Sequence, residues 1–245
     1  MKHALITGAN KSIGLETARQ LLQLGYFVYL GSRSVENGLE AAAQLRAEGY
    51  SNTEVIQLDV TDETSVKAAR EILGQKTEVL DGLINNAGMS GGFPQSATNV
   101  NIETVKTVFE TNLFGVIRVT QAFVDLMRNA PAPRIVNVSS AMGSLTLHSD
   151  PAFAYYDLKG AAYLPSKSAL NMYTITLAYD LRDTAFKVNT VDPGFTKTDF
   201  NNHRGTGTVE DAAARVVKYA IVDENGPTGK FFSEEYNPVT GEIPW

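Results

Sequence analysis

Short apolar runs of β-type residues alternate with longer segments of helical period along the whole 245-residue chain, and this alternation restricts the fold more than any other feature. The runs are "HALIT", "FVYLG", "EVIQLDV", "LDGLINNAG", "RIVNVSS", "KVNTVDP" and "GKFFS". Between them, helices are predicted from about Ser12 to Leu24 and through "ENGLEAAAQLRAEG". Others are predicted from an opening at Thr61 with Asp62 and Glu63 in the first turn, near Ile102 to Met127, from about Tyr163 to Arg182, and from Thr208. The runs are apolar on both faces, as in a parallel sheet covered by helices on either side. A hydrophobic content of 43% is enough for one well-buried core in a chain of this length. The expected architecture is a single α/β domain over residues 1–245, a doubly wound parallel sheet of about seven strands with helices on both faces.

Composition removes several classes of function. A net charge of −6 argues against a general affinity for nucleic acid or for an anionic membrane, so an anionic ligand has to be held by local groups. With no cysteine there is no disulfide, thiolate nucleophile or cysteine zinc site. The three histidines, His3, His148 and His203, are too scattered for a metal cluster, and no metal site is expected. The opening "MKHALI" runs straight into a strand without a signal-peptide pattern, and no apolar run approaches membrane-spanning length, so a cytoplasmic location is expected.

Open parallel sheets bind ligands beyond the strand C-termini, near the point where strand order reverses. Turn-forming and polar motifs stand at each of those positions: "TGANKSIG", "GSR", "LDV", "NNAG", "SSAMG" and "DPGFTKT". In the first, Gly8 and Gly14 bracket Asn10, Lys11, Ser12 and Ile13; a tight turn there aims backbone N–H groups and a helix N-terminus at a phosphate. Glycine also serves strand-to-helix turns for conformational reasons alone, so the loop acquires weight from the other strand ends. The second strand ends in Gly31, Ser32 and Arg33, where an NAD-preferring fold usually has an acid for the ribose 2′-hydroxyl. Arg33 and Lys11 would instead meet a 2′-phosphate, with Ser32 as a neutral donor, which predicts NADP(H) as cofactor. The alternative is that both cations are ordinary solvated surface charges.

"TGANKSIG", "DV" at Asp59 and Val60, "NNAG" at Asn85 to Gly88, Asn112, "SS" before "AMG", "YLPSK" and "PGFTKT" occur in order along essentially the whole chain. Together they resemble the short-chain dehydrogenase/reductase family, whose domain is of the Rossmann type, and most resemble its NADPH-dependent carbonyl reductases. Ser12 departs from the family pattern G-x-x-x-G-x-G at its middle glycine. It could serve as a helix N-cap or crowd the cofactor phosphates; tolerated binding with altered affinity is expected. The resemblance further implies that Asp59 and the Val60 backbone hold the adenine. Asn86, Ala87 and Gly88 would pack near the ribose and pyrophosphate, although "NNAG" can equally be a structural turn. It also implies that Pro193 and Gly194 turn the chain so that the backbone of Phe195 and Thr196, and the Thr198 side chain, meet the nicotinamide carboxamide.

Tyr163 and Lys167 are four apart and share one helical face, and Pro165 between them is tolerated only in a first turn, so the helix should begin near Tyr163. Ketone reduction needs a proton donor at the carbonyl oxygen as well as a hydride donor. A phenol with a pKa of about 10 is a poor proton exchanger at neutral pH unless a neighbouring ammonium favours its phenolate. Tyr163 is therefore the expected general acid, tuned by Lys167. By resemblance, Lys167 also bonds the nicotinamide ribose, Ser140 holds the substrate oxygen with Ser139 as runner-up, and Asn112 anchors a proton-relay water. Asn112 could instead be a helix-distorting residue bonded to backbone.

Twenty-two residues separate Ser140 from Tyr163, against roughly a dozen in common relatives. This insertion, with Phe153, Tyr155 and Tyr156, either walls the pocket or packs locally. It also resembles an insertion that covers a tetramer-forming helix face, which implies a monomer or homodimer. Phe93, Met142, Leu145, Phe195 and Phe200 predict an apolar pocket for a small-molecule carbonyl or alcohol substrate, and "DFNNHRGTG" either forms a lid over it or is a surface loop. Two other functions compete. A reductase of acyl-thioester ketones would want a basic entrance patch, which this acidic chain does not suggest. A non-catalytic dinucleotide sensor would have no need of the Tyr163–Lys167 pair. An extended epimerase is disfavoured by the length.

Overall fold

The computed structural model describes residues 1–245, with β1 (His3–Thr7), β2 (Phe27–Ser32), β3 (Thr53–Gln57), β4 (Gly82–Asn85), β5 (Arg134–Val138), β6 (Lys187–Val191) and β7 (Lys230–Phe232). All pair in parallel, in the order β3-β2-β1-β4-β5-β6-β7. The chain winds outward from β1 to β3, then returns to place β4 on the other side of β1. A crevice thus opens between the C-terminal ends of β1 and β4.

The helices are α1 (Ser12–Gln23), α2 (Val35–Ala47), α3 (Glu63–Gly74), α4 (Ile102–Phe109), α5 (Gly115–Met127), α6 (Leu145–Ser149), α7 (Tyr163–Asp180) and α8 (Val209–Ala220). They cover the sheet on two faces because strand side chains alternate. Ala4 and Ile6 of β1 join Leu15, Ala18 and Leu21 of α1, Ala42 and Leu45 of α2 and Val216 of α8 on one face. Leu5 between them points the other way, to Val66 and Leu73 of α3 and Val119 and Phe123 of α5. Each fully buried aliphatic or Phe side chain contributes roughly 1.5–3 kcal/mol. This two-sided burial is why the strands read as continuous apolar runs. No helix is long and apolar enough to cross a membrane.

Two helix expectations need correction. α3 is opened by Asp62, which accepts Thr64 N–H at 2.9 Å, and not by Thr61, whose N–H and hydroxyl both go to Asp59 Oδ1. The helix expected over Ile102 to Met127 is interrupted by a π-turn at Glu110–Phe114. Asn112 lies in that turn, buried, with Oδ1 accepting Met89 N–H and Nδ2 donating to Met89 O, both at 2.9 Å. A side chain anchored to a neighbouring loop shifts the local helical register.

Candidate active site

The first strand end forms a cradle. Asn86 Nδ2 donates to the carbonyls of Thr7 and Gly8 at 2.9 and 3.1 Å, and Thr7 Oγ1 accepts N–H groups of Asn86 and Ala87. "NNAG" therefore has the structural role of strapping the glycine loop to β4. Gly14 packs so closely that an added Cβ would lie 2.6 Å from Asn86 Nδ2, so no side chain fits there without displacing the loop.

Ser12 is not the N-cap. Lys11 holds that position in extended backbone without a side-chain cap bond, and Ser12 has φ 53°. Left-handed backbone costs a non-glycine residue about 1 kcal/mol or more, which is the physical reason a glycine suits this position. Ser12→Gly should raise stability by about 1 kcal/mol, seen as a rise in Tm of roughly 2–4 °C; an unchanged or lower Tm would show that the serine is unstrained. α2, α3, α4 and α8 are capped by Ser34, Asp62, Asn101 and Thr208. α1 has neither a side-chain cap nor an acid in its first turn, so its N–H donors face the crevice for an anion.

Arg33 is exposed just past β2, whereas Lys11 pairs with Asp199 at 2.7 Å, across the crevice in the loop after β6. The Ser32 hydroxyl is buried and donates to Ser34 O at 2.7 Å, so it braces the turn. Asp59 is partly buried with Oδ1 on Thr61, and Val60 O accepts Arg118 Nη1. After β6, the Phe195 N–H donates to Glu235 Oε2 at 2.8 Å and the Thr196 N–H to Gly194 O at 2.9 Å. The donors expected to meet a carboxamide are thus held by the protein itself; Pro193 accepts from Arg215 Nη1 at 2.7 Å, and Thr198 is buried beside them.

Ser140, Tyr163, Lys167 and Asn112 are brought together. α7 begins at Tyr163, and Gln95, 4% exposed, caps it across the fold: its Oε1 accepts the N–H groups of Ala162 and Tyr163 at 3.1 and 3.0 Å. Lys167 Nζ donates to Val138 O at 2.9 Å and lies 5.9 Å from the Tyr163 ring centroid. A methyl placed on Gly88 would sit 3.4 Å from Asn112 Oδ1 and 3.7 Å from Lys167 Nζ, so β4, the π-turn and α7 meet there. Asn112 Nδ2 also donates to Ser166 Oγ at 3.0 Å. Ser139 is buried and donates to Asn171 Oδ1 at 2.8 Å, whereas Ser140 is half-buried, its Oγ accepting Met142 N–H at 3.2 Å and near enough to the Tyr163 phenol to lower its pKa. The geometry separates the two serines.

Electrostatics differ from the sequence expectation. Burial pushes the Tyr163 phenol well above its usual range, only partly offset by the Ser140 hydrogen bond. Burial also lowers Lys167 to about 8, against an opposing pull from Asp192. The negative charge of Asp192 adds to the effect of burial on the phenol, which holds its proton at neutral pH.

Aromatic rings surround the Tyr163 end. Phe200 and Phe93 lie 5.6 and 6.5 Å from its ring, and Phe195, Phe93 and Phe200 are well exposed. The insertion packs against both the loop after β6 and the C-terminal segment. Tyr155 approaches Phe195 at 6.2 Å, while Phe153 packs on Tyr236 at 5.2 Å and Thr146 N–H bonds Trp245 O. Leu145 is 69% exposed, and Met142 is partly buried in the turn after Ser140. The segment at Asp199–Asn201 brings Phe200 to 5.6 Å from the Tyr163 ring and Asp199 onto Lys11. Gln95, Ser166, Asp192 and Glu235 were not found by sequence reasoning. Only Asp192, a charge closing an apolar strand, left any local signal.

The comparisons agree with this architecture. A profile of the short chain dehydrogenase family matches residues 2–208. (−)-Isopiperitenone reductase of Mentha piperita is 34% identical with 96% of each chain covered, and salutaridine reductase of Papaver bracteatum is 31% identical over 95% of this chain and 94% of its own. The solved salutaridine reductase of Papaver somniferum matches with TM-score 0.84 at 30% identity, over 95% of this chain and 100% of that one. NADPH-bound carbonyl reductase from chicken fatty liver matches with TM-score 0.83 at 27% identity, over 100% and 99%. A family profile reaching from β1 past β6, and relatives that cover nearly the whole chain, place this protein in the short chain dehydrogenase family.

Proposed function

We propose that the protein reduces small apolar ketones or aldehydes to alcohols with NADPH, reversibly, and that Tyr163 supplies the proton. The observation that carries this reading is the cluster of half-buried Ser140 with buried Tyr163 and Lys167 at the strand C-termini, flanked by Phe93, Phe195 and Phe200. NADP(H) fits the residues present: uncapped N–H donors of α1, a loop through Asn10 and Ile13 whose glycines Gly8 and Gly14 leave no room for a side chain, and Arg33 in place of an acid. The NADPH-bound carbonyl reductase and the NADP-bound ElxO among the structural neighbours support the same choice.

NADPH, when bound, supplies the hydride for the carbonyl carbon. The protein supplies the rest. Ser140 donates to the substrate oxygen and orients it, and the Tyr163 O–H passes its proton to that oxygen as negative charge develops. The phenolate left behind is stabilised by the Lys167 ammonium and the Ser140 hydroxyl. Because burial keeps the phenol protonated, the donor form is fully present at neutral pH. Asn112, fastened to Met89 and Ser166 beside Gly88 and Lys167, would anchor the water that returns a proton through Lys167. The aromatic walls suit cyclic or aryl ketones by shape and apolar contact. Loss of NADPH absorbance with a panel of aldehydes, cyclic ketones, aryl ketones and keto esters tests the reading, with NADH alongside. Turnover that prefers NADPH is expected; NADPH binding without turnover of any carbonyl would favour a dinucleotide sensor.

A further inference from the structure

Besides Ser140, Tyr163 and Lys167, the fold buries a carboxylate at the same end of the sheet. Asp192 follows the last residue of β6 and is 4% exposed. Glu16, also buried, pairs with Arg19, and Asp81 accepts His3 N–H at the opposite end of the sheet. Asp192 has instead only neutral partners, the Ser233 hydroxyl at 2.6 Å and the Gly194 N–H at 3.1 Å. Burial raises the Asp192 carboxyl above its usual range, and a cation nearby in low dielectric is what holds it ionised.

Two cations are buried in this protein. Arg134 begins β5, at the far end of the sheet; Lys167 is at the near end. Lys167 Nζ donates to the carbonyl of Val138, and Val138 is in register with Val191, the residue before Asp192. Ser139 N–H bonds Val191 O at 2.8 Å, and Asp192 N–H bonds Phe232 O at 2.8 Å, which fixes both strand tips. The ammonium and the carboxylate therefore stand at adjacent strand ends without touching, each bonded to neutral groups.

We propose that Asp192 is the buried counter-charge of Lys167, a positioning residue that keeps the ammonium protonated and thereby sets the alkaline limit of carbonyl reduction. The inference rests on the roles given above to Tyr163 and Lys167. Asp192 is faced by Tyr163 and Lys167 from α7, by Ser233, Glu235 and Tyr236 after β7, and Arg215 of α8 bonds the adjacent Pro193 carbonyl. Its negative charge raises Lys167 and so opposes the burial that lowers the group to about 8. Removing that charge leaves burial unopposed, and the ammonium loses its proton at lower pH.

Asp192→Asn keeps the shape and an oxygen for one of the two donors while deleting the charge. The titration of Lys167 is followed by NMR in protein labelled at the lysine ε-carbons, its resonance assigned by loss in Lys167→Arg. The alkaline limb of kcat/KM for NADPH-dependent reduction is measured in parallel. Both midpoints are expected to fall by about one pH unit, a tenfold change in the protonation constant, in a variant of normal fold by circular dichroism. Ser233→Ala, which strips one donor from the carboxylate, is expected to move them less in the same direction. An unmoved Lys167 midpoint in folded Asp192→Asn overturns the inference; should that variant not fold, an unmoved midpoint in Ser233→Ala does so. A shifted NMR midpoint in a protein that turns over no carbonyl would sustain the inference and sink the reductase reading instead.

Discussion

Replacing Tyr163 by Phe is expected to lower NADPH-dependent carbonyl reduction by about 10²–10⁴-fold while NADPH affinity and thermal stability stay near wild type. The ring is what packs: it meets Phe200 and Phe93 edge-on or tilted, at 5.6 and 6.5 Å, and phenylalanine preserves those contacts. The hydroxyl is what reacts. Its protein partner is Ser140, a half-buried side chain that keeps a bond to Met142 N–H at 3.2 Å after the change. Little is left stranded, so the cost should fall on kcat and not on folding. Steady-state kinetics beside a fluorescence titration with NADPH separate the two. Turnover within a few-fold of wild type would remove Tyr163 as proton donor; lost NADPH binding would mean the ring and not the hydroxyl was essential.

Arg33→Asp should lower the NADPH-to-NADH preference by about 10²-fold or more, with the fold unaffected because Arg33 is exposed at the end of β2. A guanidinium–phosphate pair is a charge-assisted contact worth roughly 1.5–3 kcal/mol, and the new carboxylate adds repulsion toward a 2′-phosphate and an acceptor for a 2′-hydroxyl. Lys11 is expected to contribute less, since Asp199 already engages it at 2.7 Å and both groups are largely solvated. Ratios of kcat/KM for the two cofactors measure the change. An unchanged ratio would make Arg33 an ordinary surface charge.

Local periodicity and turn chemistry were enough to read the strands at His3–Thr7 and Arg134–Val138, the start of α7 at Tyr163 and the opening of α8 by Thr208, because each depends on neighbours a few residues away. The doubly wound order followed from the same alternation, and the Tyr163–Lys167 pair from helical spacing. What escaped that reading depends on groups far apart in the chain. Gln95 caps α7 from 68 residues away, and Asn112 breaks a helix by bonding Met89, 23 residues earlier. Lys11 meets Asp199, and Glu235 takes the Phe195 N–H, only once β6 lies between β5 and β7 and β1 is near the crevice. The effect of burial on the phenol escaped for the same reason: adjacency to an ammonium is visible in a Tyr-x-x-x-Lys spacing, whereas burial of both groups, and of Asp192 beyond them, exists only after the sheet has assembled around them.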